Sequence, residues 1–366
     1  RNRSGRHARR REHAKIIAEH SVELEAGDVV VIRAPPAAEE LVVAIHEAVG
    51  KRGANTLTMS ANSRFSRAYL RAADEFETPD HHLALIEECD VYTAVRAETN
   101  VTETGDVPPE TNAAYSQARQ PILGERLSKR WCLTQHPAPA NAQLAEMSTE
   151  GYADFVYDAV VKNWAAVREH QAQMVEILDP AEAVRIRSGE GTDIRMRVDG
   201  NHTLNDYGEK NLPGGEVFTA PVVDSVEGEV HFDKPLYHQG REVTGVHLRF
   251  EDGRVVDHSA EKNEAVLTEV LETDAGARSL GELGIGMNRD IDQFTYNMLF
   301  DEKMGDTVHM ALGRAYEDTV GEANERNESA VHVDMIVDMS EDSTVEVDGE
   351  VVQRNGRFRF EEGFEA

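Results

Sequence analysis

The spacing of apolar residues changes near Pro180, and that change limits what the chain can fold into. Before it, strand-like and helix-like stretches alternate. Residues 10–22 read as a helix, and Gly27 and Asp28 then introduce an apolar run at 29–32 with the length of a buried strand. Pro35 and Pro36 break the chain, after which Leu41, Val42, Ile45 and Val49 recur at helical spacing as far as Gly53. Strands at 56–59 and 91–95 continue the series. Strand, helix, strand with short turns predicts βαβ units and a mainly parallel sheet. Beyond Pro180 come short strands with polar turns, at 184–187, 193–200, 229–232 and 246–250, interrupted by one helix near 260–271.

The expected architecture is therefore an α/β N-terminal domain over residues 1–178 and a β-rich α+β C-terminal domain over residues 179–366. The first ends in a long helix whose Tyr152, Phe155, Val156, Ala159, Val160, Trp164, Val167, Met174, Val175 and Leu178 share one face, a packing stripe. The opening RNRSGRHARRR has no apolar segment behind it, so it reads as a disordered arm over 1–9 and not as a secretory signal.

Charge narrows the function. Asp and Glu total 68 against 38 Lys plus Arg, of which 8 are Lys, for a net charge of −30. A chain so acidic repels phosphates and anionic lipid, so nucleic-acid and membrane partners are not expected. The acids are spread along the whole chain, a surface suited to concentrated salt where screening removes self-repulsion. No apolar stretch approaches the roughly 18 residues of a membrane span. Cys89 and Cys132 have no second cysteine at a metal spacing and read as reduced thiols, consistent with a cytoplasmic location.

Three patterns in the second half could carry chemistry. His332-Val333-Asp334 sits in an alternating segment, which places an imidazole and a carboxylate on one face of a strand as two ready cation ligands. His309 lies in GDTVHMALGRAY, closed by Gly313 with Tyr316 at the next turn; alone it reads as a hydrogen-bonded core histidine. Glu216 in LPGGE and Glu282 in SLGELGIGMN stand among glycines, which let the backbone approach closely and leave room for an ion. Neither glycine-rich nucleotide fingerprint is present.

Taken in order, LPGGEVFTAP, GELGIGMN, FDEKMGDTVHMALGRAY and ESAVHVDMI resemble the aminopeptidase T and aminopeptidase S family, the thermophilic metalloprotease type. The resemblance extends to KRWCLTQHPAPANAQ and VDGEVVQRNGRF, and is dense from about 210 to 357. It implies a hydrolase that removes N-terminal residues from short peptides, as a homodimer. It also implies two divalent ions (Zn²⁺, Co²⁺ or Mn²⁺) held by Glu216, Glu282, His309, His332 and Asp334. Glu302 and Tyr316 match positions beside the metals, suited to proton transfer and substrate contact. Asp306 stands where the family often has a small residue, Val333 where Trp is common, and the loop from Tyr316 to His332 is shorter than usual. Two rivals remain: a ring-cleaving dioxygenase with one iron on His309, His332 and Asp334, and a non-catalytic metal- or peptide-binding protein.

Overall fold

The structure, a computed structural model, describes residues 2–238 and 241–365, and the side chains from residue 5 onward. The chain forms two compact units, residues 1–162 with 208–214, and residues 163–207 with 215–366.

The first unit is built on parallel strands β1 (Val29–Ala34), β2 (Asn55–Ser60), β3 (Val91–Arg96) and β4 (Arg130–Gln135), in the order β2-β1-β3-β4. A short strand, Asn211–Leu212, adds in parallel to the β4 edge when the chain returns to this unit. Val30, Val31 and Ile32 are buried, as a continuous apolar run in a parallel strand requires. Helix α1 (Asn2–Ile16) begins at the second residue, so the arm expected to be disordered is helical. Its arginines find carboxylates on two other helices, α2 (Glu39–Lys51) and α3 (Thr149–Val160). Arg6 lies 3.6 Å from Glu150, Arg9 3.2 Å from Asp154 and 3.3 Å from Asp158, and Arg10 pairs with Glu40. The helix also buries Ala14 and Ile16, which its surface ion pairs flank. Both cysteines are buried and unbridged.

The expected long helix is two, α3 and α4 (Trp164–Leu178), separated at residues 161–163. Asn163 caps α4, its Oδ1 accepting from the Ala166 N–H at 3.2 Å. The division between units therefore falls at Lys162, not at 178. Helix α4 packs Met174 and Leu178 into the second core, and its Gln171 donates to the Asp206 carbonyl at 2.8 Å.

The second unit holds two main sheets. An eight-stranded antiparallel sheet includes Ala183–Ser188, Thr192–Arg197, Glu227–Phe232 and Val246–Glu251, close to the strands read from the sequence. The other sheet runs β9-β8-β7-β6-β5, where β5 is Leu204–Asp206, β6 Glu216–Thr219, β7 Leu280–Gly286, β8 Thr307–Gly313 and β9 His332–Asp338. One face of it supplies Val217, Leu283, Ile285, Val308, Met310, Leu312, Val333, Met335 and Val337 to the core. The opposite face carries the site.

Candidate metal centre

Strand period and register assemble the centre. In β8 the odd residues share one face, and in β6, β9 and the 282–286 stretch of β7 the even ones do, because directly paired residues of antiparallel strands point the same way. Glu216 pairs with Gly286, Gly284 with His309, Glu282 and Asp334 both with Ala311, and His332 with Gly313. Four strands thus put five ligand-type side chains on one face, with glycine and alanine filling the positions between them. The clearance at Gly284 is absolute: a Cβ there would lie 2.0 Å from His309 Nε2.

Two groups result. Glu216, Glu282 and His309 bring one ligand atom each within 4.8 Å of one another, as do Glu282, His332 and Asp334. His309 Nε2 lies 3.0 Å from Glu216 Oε2 and 3.1 Å from Glu282 Oε1, and its hydrogen bond goes to Glu282. His332 Nε2 lies 3.3 Å from Asp334 Oδ2 and 3.8 Å from Glu282 Oε2. Its Nδ1–H donates to the Arg314 carbonyl at 2.8 Å, which fixes the ring and turns Nε2 toward the carboxylates, the arrangement metal-binding histidines use.

The donor set fits divalent cations. Glu216 Oε2, Glu282 Oε2 and Asp334 Oδ1 are buried without a hydrogen-bond partner. Orphaned carboxylate oxygens are costly unless a cation takes them up. Carboxylates and imidazoles together suit a hard-to-borderline ion.

The electrostatics are strained in the way such clusters are. Burial opposes the charge on His309, yet Glu216 and Glu282 raise its pKa well above the ordinary value. Burial opposes His332 likewise, and Asp334 and Glu282 push it up to about 10. Burial would raise Glu216, but Lys303 and His309 outweigh it and hold the carboxyl below its usual range.

Glu302 follows the short helix Met298–Asp301 and pairs with Lys303. Burial pushes its carboxyl up to about 8, against the pull of Lys303. Tyr316 is 52% exposed, its ring 5.3 Å from the His332 ring and 6.0 Å from that of Phe218. Loss of water around its hydroxyl and the nearby carboxylates raise its pKa.

Sequence reasoning missed Lys303. It is fully buried, 3.7 Å from Glu216 and 4.0 Å from Asp206, so one cation ties three carboxylates together. The signal was available: a lysine beside Glu302 in a chain that has only 8. Gly284 was read only as room beside a carboxylate; the register shows it as space for His309.

Carboxylates and imidazoles gathered on one face of an antiparallel sheet make a ligand set suited to divalent cations. The chain matches the family described as thermophilic metalloprotease (M29) over residues 7–358, and it belongs to that family. Its relatives include aminopeptidase 2 of Geobacillus stearothermophilus, 28% identical over 407 residues covering 95% of this chain and 97% of the relative. Aminopeptidase T of Thermus thermophilus is 29% identical over 386 residues, covering 92% and 93%. The structure of wild-type AmpT from Thermus thermophilus superposes with a TM-score of 0.86 at 26% identity, over 96% of this chain and 99% of that one. The 2,5-dihydroxypyridine dioxygenase of Pseudomonas putida KT2440 shares the fold, with a TM-score of 0.64 at 15% identity over 97% and 98% of the two chains.

Proposed function

We propose that the chain is an aminopeptidase that hydrolyses the first peptide bond of short peptides at a pair of divalent cations, Zn²⁺, Co²⁺ or Mn²⁺. The observation that carries two ions is that Glu282 belongs to both ligand groups, Oε1 toward His309 and Oε2 toward His332. Glu216, Glu282 and His309 would hold one ion, and Glu282, His332 and Asp334 the other, which makes Glu282 the shared ligand. Such a pair, when bound, supplies a water of lowered pKa and polarises the scissile carbonyl.

The remaining work falls to the chain's own residues. Three carboxylates offset most of the charge of two ions. Glu302 is the base for the water's proton and then the acid that returns it to the leaving amine, for which a raised pKa is suited. Lys303 keeps Glu216 ionised as a ligand and fixes the Glu302 side chain. Tyr316 is exposed enough to meet substrate and would donate to the oxyanion as it forms. An ammonium at the peptide's N-terminus is favoured by the surrounding carboxylates, which would confine cleavage to the first residue.

The dioxygenase reading needs only His309, His332 and Asp334 and leaves Glu216 and Glu282 without a task, although both crowd His309. The same proposal extends to a homodimer, as the family resemblance implies, and to a salt-rich cytoplasm, for which the support is the acid excess of the sequence.

The test is hydrolysis of free and N-acetylated aminoacyl substrates in about 2–4 M KCl, with metal, with chelator, and after metal return. Chelator-sensitive cleavage of the free amines alone supports the reading, and none by a folded, metal-loaded protein sinks it. Glu302→Gln should lower kcat by about 10²–10⁴-fold with bound metal unchanged; metal content by atomic absorption separates that from ligand loss.

A further inference from the structure

The parallel sheet of the first unit marks a second place for a ligand. Because β1 lies between β2 and β3, the connections on either side of it diverge, and a crevice opens beyond the carboxyl ends of β1 and β3. Open parallel α/β sheets bind their ligands at this switch point. A cavity of about 490 Å³ lies there, walled by the segments that follow β1, β2 and β3.

Its charge runs against the rest of the chain. Arg33, Arg64 and Arg96 all line it, against one carboxylate, Glu98, in a protein whose acids outnumber its Lys and Arg by 68 to 38. Neither the Arg33 nor the Arg64 guanidinium has an ion-pair partner among the described residues. Glu98 is itself engaged, its Oε2 accepting from Gln135 Nε2 at 3.4 Å. All three arginines are solvent-exposed at the mouth of this concavity; together they raise a positive local potential, and their planar forks match carboxylate and phosphate oxygens.

The lining also excludes ligands. Pro35 and Pro36 occupy the turn after β1 and offer no N–H, so this turn cannot cradle a pyrophosphate as a glycine loop does. No aromatic side chain among the described residues lines the cavity, so a nucleotide base has none of them to stack on. We propose that this cavity is a binding site for a small, non-aromatic oxyanion, a carboxylate or phosphate compound held by Arg33, Arg64 and Arg96. All five residues proposed as metal ligands lie in the other unit, so the inference stands whether or not the peptidase reading does.

Calorimetric titration of the full, metal-loaded chain with succinate, inorganic phosphate and AMP, at fixed ionic strength, tests it. Succinate or phosphate should bind, with AMP no tighter than phosphate, and whichever of the two binds identifies the source of the oxyanion. Arg33→Gln/Arg64→Gln should lose at least about tenfold in affinity with its circular dichroism and peptidase rate unchanged. Absence of binding by either anion up to about 10 mM, or equal affinity in the double variant, overturns the site. Much tighter binding of AMP than of phosphate overturns its non-aromatic character.

Discussion

Lys303 is the residue on which the centre's charge balance turns. Its side chain is fully buried and contacts Glu302, Glu216 and Asp206, so Lys303→Met would keep the volume and leave carboxylates uncompensated. Removing one partner of a buried pair costs about 3–5 kcal/mol, and urea unfolding of Lys303→Met should show a loss of that order; wild-type stability would contradict the role. Asp301 makes a second prediction. It is fully buried, accepts from the Thr295 N–H and hydroxyl at 2.8 Å each, and is pushed by burial up to about 7. The folded state therefore keeps a proton that the unfolded chain gives up near pH 4. Stability should fall as pH rises from about 4 to 7, by up to about 1.4 kcal/mol per unit. Asp301→Asn should flatten that slope, as read by denaturant midpoints across pH; an unchanged slope would place the titration elsewhere.

At the scale of elements, the centre depends on what the sheet face leaves empty. Gly284→Ala would drive a Cβ to within 2.0 Å of His309 Nε2 while the core face of β7, Leu283 and Ile285, stays as it is. The variant should fold with a wild-type circular dichroism spectrum and lose at least about tenfold in metal affinity, the scale of a misoriented ligand. Normal metal binding would mean the strand shifts to accommodate the methyl. The HxD strand was legible because alternation alone puts His332 and Asp334 on one face and Val333 in the core. The bulge between Leu280 and Glu282 was not read, although Gly281 stands in it and an isolated glycine within a strand is a local mark of a bulge. The break between α3 and α4 escaped because the apolar stripe runs across it, and only Asn163, one polar residue among many, signals a new helix start. The helical arm escaped because its partners, Glu40, Glu150, Asp154 and Asp158, lie far along the chain, up to 149 residues away from Arg9 to Asp158.

For the whole molecule, salt and metal are the two variables that should move stability. With 68 acids against 38 Lys plus Arg, self-repulsion is strong in dilute buffer and screened in concentrated salt. The midpoint of thermal unfolding should climb steadily from about 0.1 to 3 M KCl; a flat or falling curve would remove the case for salt adaptation. Metal addition to chelator-treated protein should release protons, because His309 and His332 are held protonated by their carboxylate neighbours and must be neutral to ligate. Metal affinity should consequently rise with pH, and calorimetry in buffers of different ionisation enthalpy would count the protons.

Periodicity, by itself, determined the two classes of architecture, since whether apolar residues recur every two positions or at helical spacing is a local property of the chain. The motifs around Glu216, Glu282, His309, His332 and Asp334 gave the residue types of the proposed ligand set in the same way, residue by residue. Tertiary structure alone decided that Glu282 faces both groups, that Lys303 is buried among the carboxylates, and that three arginines meet beyond the carboxyl ends of the parallel strands. Each of these depends on register and strand order between segments far apart in sequence, and the free energy that sets them is the burial of a shared core, which no single stretch contains.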